Sequence, residues 1–143
     1  VTDVAFHFNA PDPVAYACRL LRKAVGSGAK VVVVADEDKL GELDVALWNF
    51  SPTDFLPHCD INSDPHILAM CPIVLATSLD TAPHRQILLN LGEQVASGFE
   101  LFERVIEVVS LDDAGRQMAR GRWKQYVELG YSITRHDLNL KPS

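Results

Sequence analysis

Lys30-Val31-Val32-Val33-Val34-Ala35-Asp36 decides the fold. Four consecutive β-branched residues leave no polar face, so the run reads as a strand buried on both sides, as in a sheet covered by helices front and back. Its flanks agree. Gly26-Ser27-Gly28 closes whatever precedes it, and Asp36-Glu37-Asp38 opens an acidic turn after it. Leu40, Leu43, Leu47 and Trp48 then follow at helical spacing, which predicts a helix over residues 37–49.

Working outward, Pro11-Asp12-Pro13 is a helix start, with Asp12 as the N-cap and Pro13 in the first helical position. Val14, Ala17, Cys18, Leu21 and Val25 form one apolar stripe, with Arg19, Arg22 and Lys23 outside it. Before that helix, residues 3–9 alternate around Phe6 and Phe8 as a strand. Downstream, residues 50–59 carry Pro52, Phe55 and Pro57 and read as loop with a short extended piece. Residues 60–66 are polar and loop-like. Strands are predicted over 72–77, 86–91 and 104–109, with a loop at 78–85 and a short helical turn within 92–102. Asp112 and Asp113 open a long final helix ending near Gly130, and residues 131–143 form an extended tail. The order β-α-β-α-β-β-(turn)-β-α predicts an α/β fold: one domain over residues 1–143, with a mainly parallel sheet and helices on both faces.

Composition narrows the function. The 143 residues are 48% hydrophobic and 22% charged, a globular balance, and the net charge of −6 disfavours wrapping DNA against the whole surface. An anion-binding role therefore needs a local basic patch. Three cysteines, Cys18, Cys59 and Cys71, suggest no disulfide framework and suit a reducing cytoplasm. A zinc set of His58, Cys59, His66 and Cys71 has no standard ligand spacing. No run reaches the ~20 apolar residues of a membrane span, and Val1-Thr2-Asp3 lacks the pattern of a signal peptide.

No catalytic signature emerges. Gly26-Ser27-Gly28-Ala29-Lys30 superficially resembles a phosphate loop, but these glycines end a helix instead of opening one. The first strand runs into Asn9-Ala10-Pro11-Asp12, without the glycines of a dinucleotide site. The cluster at Asp36 fits helix capping, or ligation of magnesium or ribose if the domain is a nucleotide-binding enzyme. His7, His58, His66, His84 and His136 form no metal or triad motif. The fold is thus expected to be Rossmann-like without a nucleotide-binding loop.

Two segments could serve partners. On the final helix, Arg116, Arg120 and Lys124 recur every fourth residue along one face, with Trp123 beside them and Arg122 nearby. Such a stripe suits an acidic-hydrophobic peptide, and equally a solvated helix face with a packed ring. Direct binding of single-stranded DNA would need more aromatic platforms than this one. On the same helix Met118, Tyr126 and Leu129 are candidates for the core. The second segment runs from Leu43 to His58, where Trp48 and Phe55 sit among prolines and fit either an apolar patch or a core lid.

The stretches L-D-V-A-L-W-N-F-S-P-T-D-F-L-P-H at residues 43–58 and R-Q-M-A-R-G-R-W-K-Q-Y-V-E-L-G-Y at 116–131 resemble the chi subunit family of bacterial DNA polymerase III. The early strand-helix-strand order and Asp36-Glu37-Asp38 fit it too. The resemblance implies a non-catalytic accessory subunit without cofactor. Such a subunit would bind the psi subunit of the clamp loader and the acidic C-terminal tail of single-stranded DNA-binding protein, touching DNA only indirectly. It assigns Arg116, Arg120, Trp123 and Lys124 to the tail and Trp48 and Phe55 to psi. Residues 61–70 match poorly, and no function is carried to them.

Overall fold

The computed structural model describes residues 2–49, 57–80 and 82–138. The valine run forms β2 (Val31–Val34), and all four residues are buried. It lies near the centre of a sheet with β1 (Asp3–Ala10), β3 (His58–Asp60), β4 (Ile73–Ala76), β5 (Ile87–Asn90), β6 (Arg104–Ser110) and β7 (Ile133–Asp137). The strand order is β3-β4-β2-β5-β6-β1-β7, and every pairing among the described strands is parallel. The helices are α1 (Pro13–Gly26), α2 (Glu37–Asn49), α3 (Pro65–Met70) and α4 (Asp113–Glu128), with a single 3₁₀ turn at Phe99–Leu101.

Right-handed crossovers explain the layering. From β1 to β2 and from β2 to β3 the chain moves one way across the sheet, which lays α1 and α2 on one face. From β3 onward it returns the other way, which lays α3 and α4 on the opposite face. The core divides accordingly. Leu21, Leu40, Leu43 and Leu47 pack with Val31, Val33 and Leu89 on the first face. Phe6, Val32, Val34, Leu88, Ala119 and Tyr126 pack on the second.

The expected starts and stops hold where a side chain enforces them. Asp12 accepts from the Ala15 amide at 3.2 Å, and Asp36 accepts from the Lys39 amide at 2.7 Å. Asp36 thus acts as the cap of α2. The Ser27 amide donates back to Lys23, and Gly28 takes φ 83°, so this glycine pair is a helix stop.

Three segments depart from expectation. Within the span read as loop, Asp64 caps α3 by accepting from the His66 amide at 2.9 Å, with Pro65 starting the helix. Six residues are too few to display a helical period. The short extended piece expected within residues 50–59 lies at the end of that span, where His58–Asp60 runs one residue past it as an edge strand along β4. Part of the tail read as merely extended is β7, paired with β1 from Val4 to Phe8.

Candidate functional site

The final helix is held by its inner face. Asp112 caps α4, accepting from the Gly115 amide at 2.9 Å. The 3.6-residue period then turns Ala119, Arg122 and Tyr126 inward, and all three are buried. Arg122 and Tyr126 meet Glu107 of β6, which is fully buried. Its carboxylate accepts from Arg122 Nε at 2.8 Å, from Tyr126 Oη at 2.7 Å and from Asn90 Nδ2 at 2.9 Å. Arg122 also donates to the Glu93 carbonyl at 3.1 Å. Burial pushes the Glu107 carboxyl up, against the pull of the Arg122 guanidinium and the Tyr126 hydroxyl. Burial and this carboxylate also hold the Tyr126 phenol un-ionised, far above its ordinary value. Arg122 therefore belongs to the core. Met118 and Leu129 correct the expectation in the other direction: they are 43% and 62% exposed, because the inward arc is filled by Ala119, Arg122 and Tyr126.

With the rotation of α4 fixed, its outer residues line a cup against β1 and β7 of about 590 Å³, lined in part by Phe8, Asn9, Arg116, Arg120, Trp123 and Arg135. Trp123 forms a wall, its ring edge-on to buried Phe6 at 5.1 Å and 6.0 Å from Phe8. The Arg135 guanidinium lies over both rings, 5.2 Å from the Phe8 centroid and 5.7 Å from that of Trp123. Arg116 Nη2 donates to Asn9 Oδ1 at 2.8 Å, and Asn9 Nδ2 donates to Asp137 Oδ1 at 2.8 Å. Asn9 sits at φ 65°, where the β1–β6 register shifts, so the strand end turns its amide into the cup. Three guanidiniums face one carboxylate, Asp137.

The cup opens at the carboxyl ends of β1 and β7. Neighbouring strands β6 and β1 send their helices, α4 and α1, to opposite faces there, and open α/β sheets place ligands at such a switch point. The structure thus brings Arg116, Arg120 and Trp123 together. Lys124 is exposed on the same helix and is not among the residues that line the cup. Phe8, Asn9, Arg135 and Asp137 escaped the sequence reading. Phe8 carried a signal, since strand alternation puts it on the face of Phe6; Arg135 and Asp137 lay in a tail given no partner strand.

The second surface lies on the other layer. Trp48 is 58% exposed and Val45 59% exposed, so this turn of α2 is a patch and not a core lid. The Trp48 ring meets His58 edge-on at 5.0 Å, and His58 Nε2 lies 3.0 Å from Asp44 Oδ1. Phe55 lies outside the described residues. Nearby, Cys59 and Cys71 are joined in a disulfide with Cα atoms 6.3 Å apart. This departs from the expectation that the cysteines build no disulfide framework, and it removes the cysteine argument for a reducing cytoplasm. α3 carries the chain back so that Cys71, at the entry to β4, faces Cys59 on the adjacent β3; Cys18 alone is free, and it is buried. The disulfide also leaves the imagined zinc set without thiolates.

These features define a Rossmann-like α/β domain with a cationic, aromatic-walled cup on one layer and an exposed tryptophan patch on the other. Residues 1–134 match the family described as "DNA polymerase III chi subunit, HolC", and the chain belongs to that family. It is 37% identical over 123 residues to DNA polymerase III subunit chi of Pseudomonas aeruginosa, covering 85% of this chain and 84% of the relative. It is 27% identical over 118 residues to the subunit of the same name from Escherichia coli, covering 81% and 79%.

Proposed function

We propose that this chain is a non-catalytic, cytoplasmic accessory subunit of the DNA polymerase III holoenzyme. It ties the clamp loader, through psi, to the acidic C-terminal tail of single-stranded DNA-binding protein. The cup carries this reading. Its arginines offer planar donors to carboxylates, and its Phe8 and Trp123 rings offer an apolar wall to a neighbouring side chain. An overall charge of −6 repels DNA phosphates while the local cations accept an acidic peptide, so contact with DNA is indirect. The patch at Trp48 is the psi-facing surface, with Phe55 of the adjoining segment assigned to it by family resemblance. It lies on α2, across the sheet from α4, so both partners can be held at once.

A short peptide in an exposed cationic cup binds weakly, with a dissociation constant on the order of micromolar, or about −8 kcal/mol. Several tails on one protein assembly raise the effective affinity. The test is fluorescence anisotropy of a labelled acidic tail peptide from the cognate single-stranded DNA-binding protein, titrated with wild type and with Arg120→Ala. Saturable binding should weaken about 10- to 100-fold in the folded variant, the worth of a charge-assisted hydrogen bond. Absence of wild-type binding at low salt would remove the tail from the proposal.

A further inference from the structure

We infer that Arg135 is a specificity-determining cation of the cup: with Arg120 it grips a ligand carboxylate, whereas Arg116 is a positioning residue. This rests on the reading of the cup as an acidic-peptide site. The three arginines differ in their commitments. Arg116 is engaged by Asn9, whose amide is in turn tied to Asp137. That relay joins α4 to the ends of β1 and β7 and uses donors that a ligand would need. Arg120, one turn further along α4, has no hydrogen bond or ion pair to any described residue and is exposed.

Arg135 also has no hydrogen bond or ion pair among the described residues, yet it is not loose. Its guanidinium is laid on the Phe8 and Trp123 rings. A guanidinium held over aromatic rings in this way makes no hydrogen bond to them, so its N–H donors stay available to a carboxylate, with part of the ordering cost already met. It reaches the cup from a strand while Arg120 reaches it from a helix, so a carboxylate held between them is contacted from two walls. The same stack puts the charge directly beside the apolar wall. The cup therefore selects an anion adjacent to a flat or bulky apolar group over a run of carboxylates alone.

The test uses the full chain and the same labelled tail peptide, with Arg135→Gln, Arg135→Lys and Arg116→Gln compared by anisotropy across a salt series. Circular dichroism and a denaturant midpoint establish that each variant is folded. Arg135→Gln keeps a planar hydrogen-bonding end group, on a shorter side chain, and loses the charge. It should weaken binding about 10- to 100-fold and flatten the salt dependence, which a packing role would not move. Arg135→Lys should keep most of the salt dependence while losing affinity, and Arg116→Gln should cost less than Arg135→Gln. Arg135→Gln binding within about twofold of wild type with the salt dependence unchanged would overturn the inference and leave the tail proposal standing. So would a larger loss from Arg116→Gln. Failure of wild type itself to bind would overturn both.

Discussion

Arg120 and Arg122 stand on the same turn of α4 and have opposite fates. Arg122 is buried, with its guanidinium donating to Glu107 and to the Glu93 carbonyl. Arg120 is exposed beside the cup and uncommitted. Composition cannot separate two arginines in one basic stretch; the helical period does, since a two-residue step turns the side chain by roughly 200°. The inner arginine ties the helix to β6, and the outer one lines the cup with residues of β1 and β7.

The largest expected effect breaks the inner half. Glu107→Ala leaves the Arg122 guanidinium buried without its carboxylate and should cost about 3–5 kcal/mol, read as a drop in unfolding free energy in urea. The double change Glu107→Leu with Arg122→Met replaces the pair by apolar bulk and should restore part of that stability, the remainder being lost because the buried Tyr126 hydroxyl and Asn90 amide no longer have the carboxylate as acceptor. If the ion pair sets the rotation of α4, the double variant will still bind the tail peptide more weakly than wild type. Full affinity in the double variant would show that apolar packing alone orients the helix.

The outer half should respond in the opposite sense. Arg120→Glu puts a like charge in front of an acidic ligand and should abolish tail binding, yet its unfolding free energy should stay within about 0.5 kcal/mol of wild type. A destabilisation comparable to that of Glu107→Ala would mean that Arg120 is structural and that the two faces of α4 are not separable.

The same contrast explains what the sequence made legible. The central strands, α1, α2 and α4 follow from local causes: a valine run, capping aspartates, and glycines past a helix end. The cup does not, because it is closed by pairing β7 onto β1, some 130 residues away in the chain. A five-residue strand with only Ile133 as a β-branched apolar residue gives little sign of what it will join, so Arg135 had no visible partner. Phe8 was recognised as strand, but its place under Trp123 depends on α4 crossing that face. At the other edge, the pairing of Cys59 with Cys71 required the six-residue α3, too short for periodicity to reveal.

The smallest expected effect lies where the two faces of α4 begin. The Asp112 carboxylate accepts hydrogen bonds from the Ser110 hydroxyl and the Gly115 amide, which hold its carboxyl below the ordinary carboxylate range. A Cβ on Gly115 would push the Ser110 hydroxyl away, at the expense of its bond to Asp112. Because the folded value is depressed, the stabilisation is fully present above the unfolded value of about 4 and is lost as pH falls through the folded value. Acidification into that range should therefore loosen the first turn, which carries Arg116, before it disturbs the buried turn at Tyr126. Hydrogen exchange reads both ends of the helix at once. Protection at the Gly115 amide should fall with pH while protection at Tyr126 holds, after allowing for the intrinsic pH dependence of exchange. Asp112→Asn keeps a capping oxygen without a titrating group, so it should remove the pH dependence at Gly115. Parallel loss of protection at both ends in wild type would mean that α4 opens as one unit, with its outer site no more labile than the Glu107 anchor.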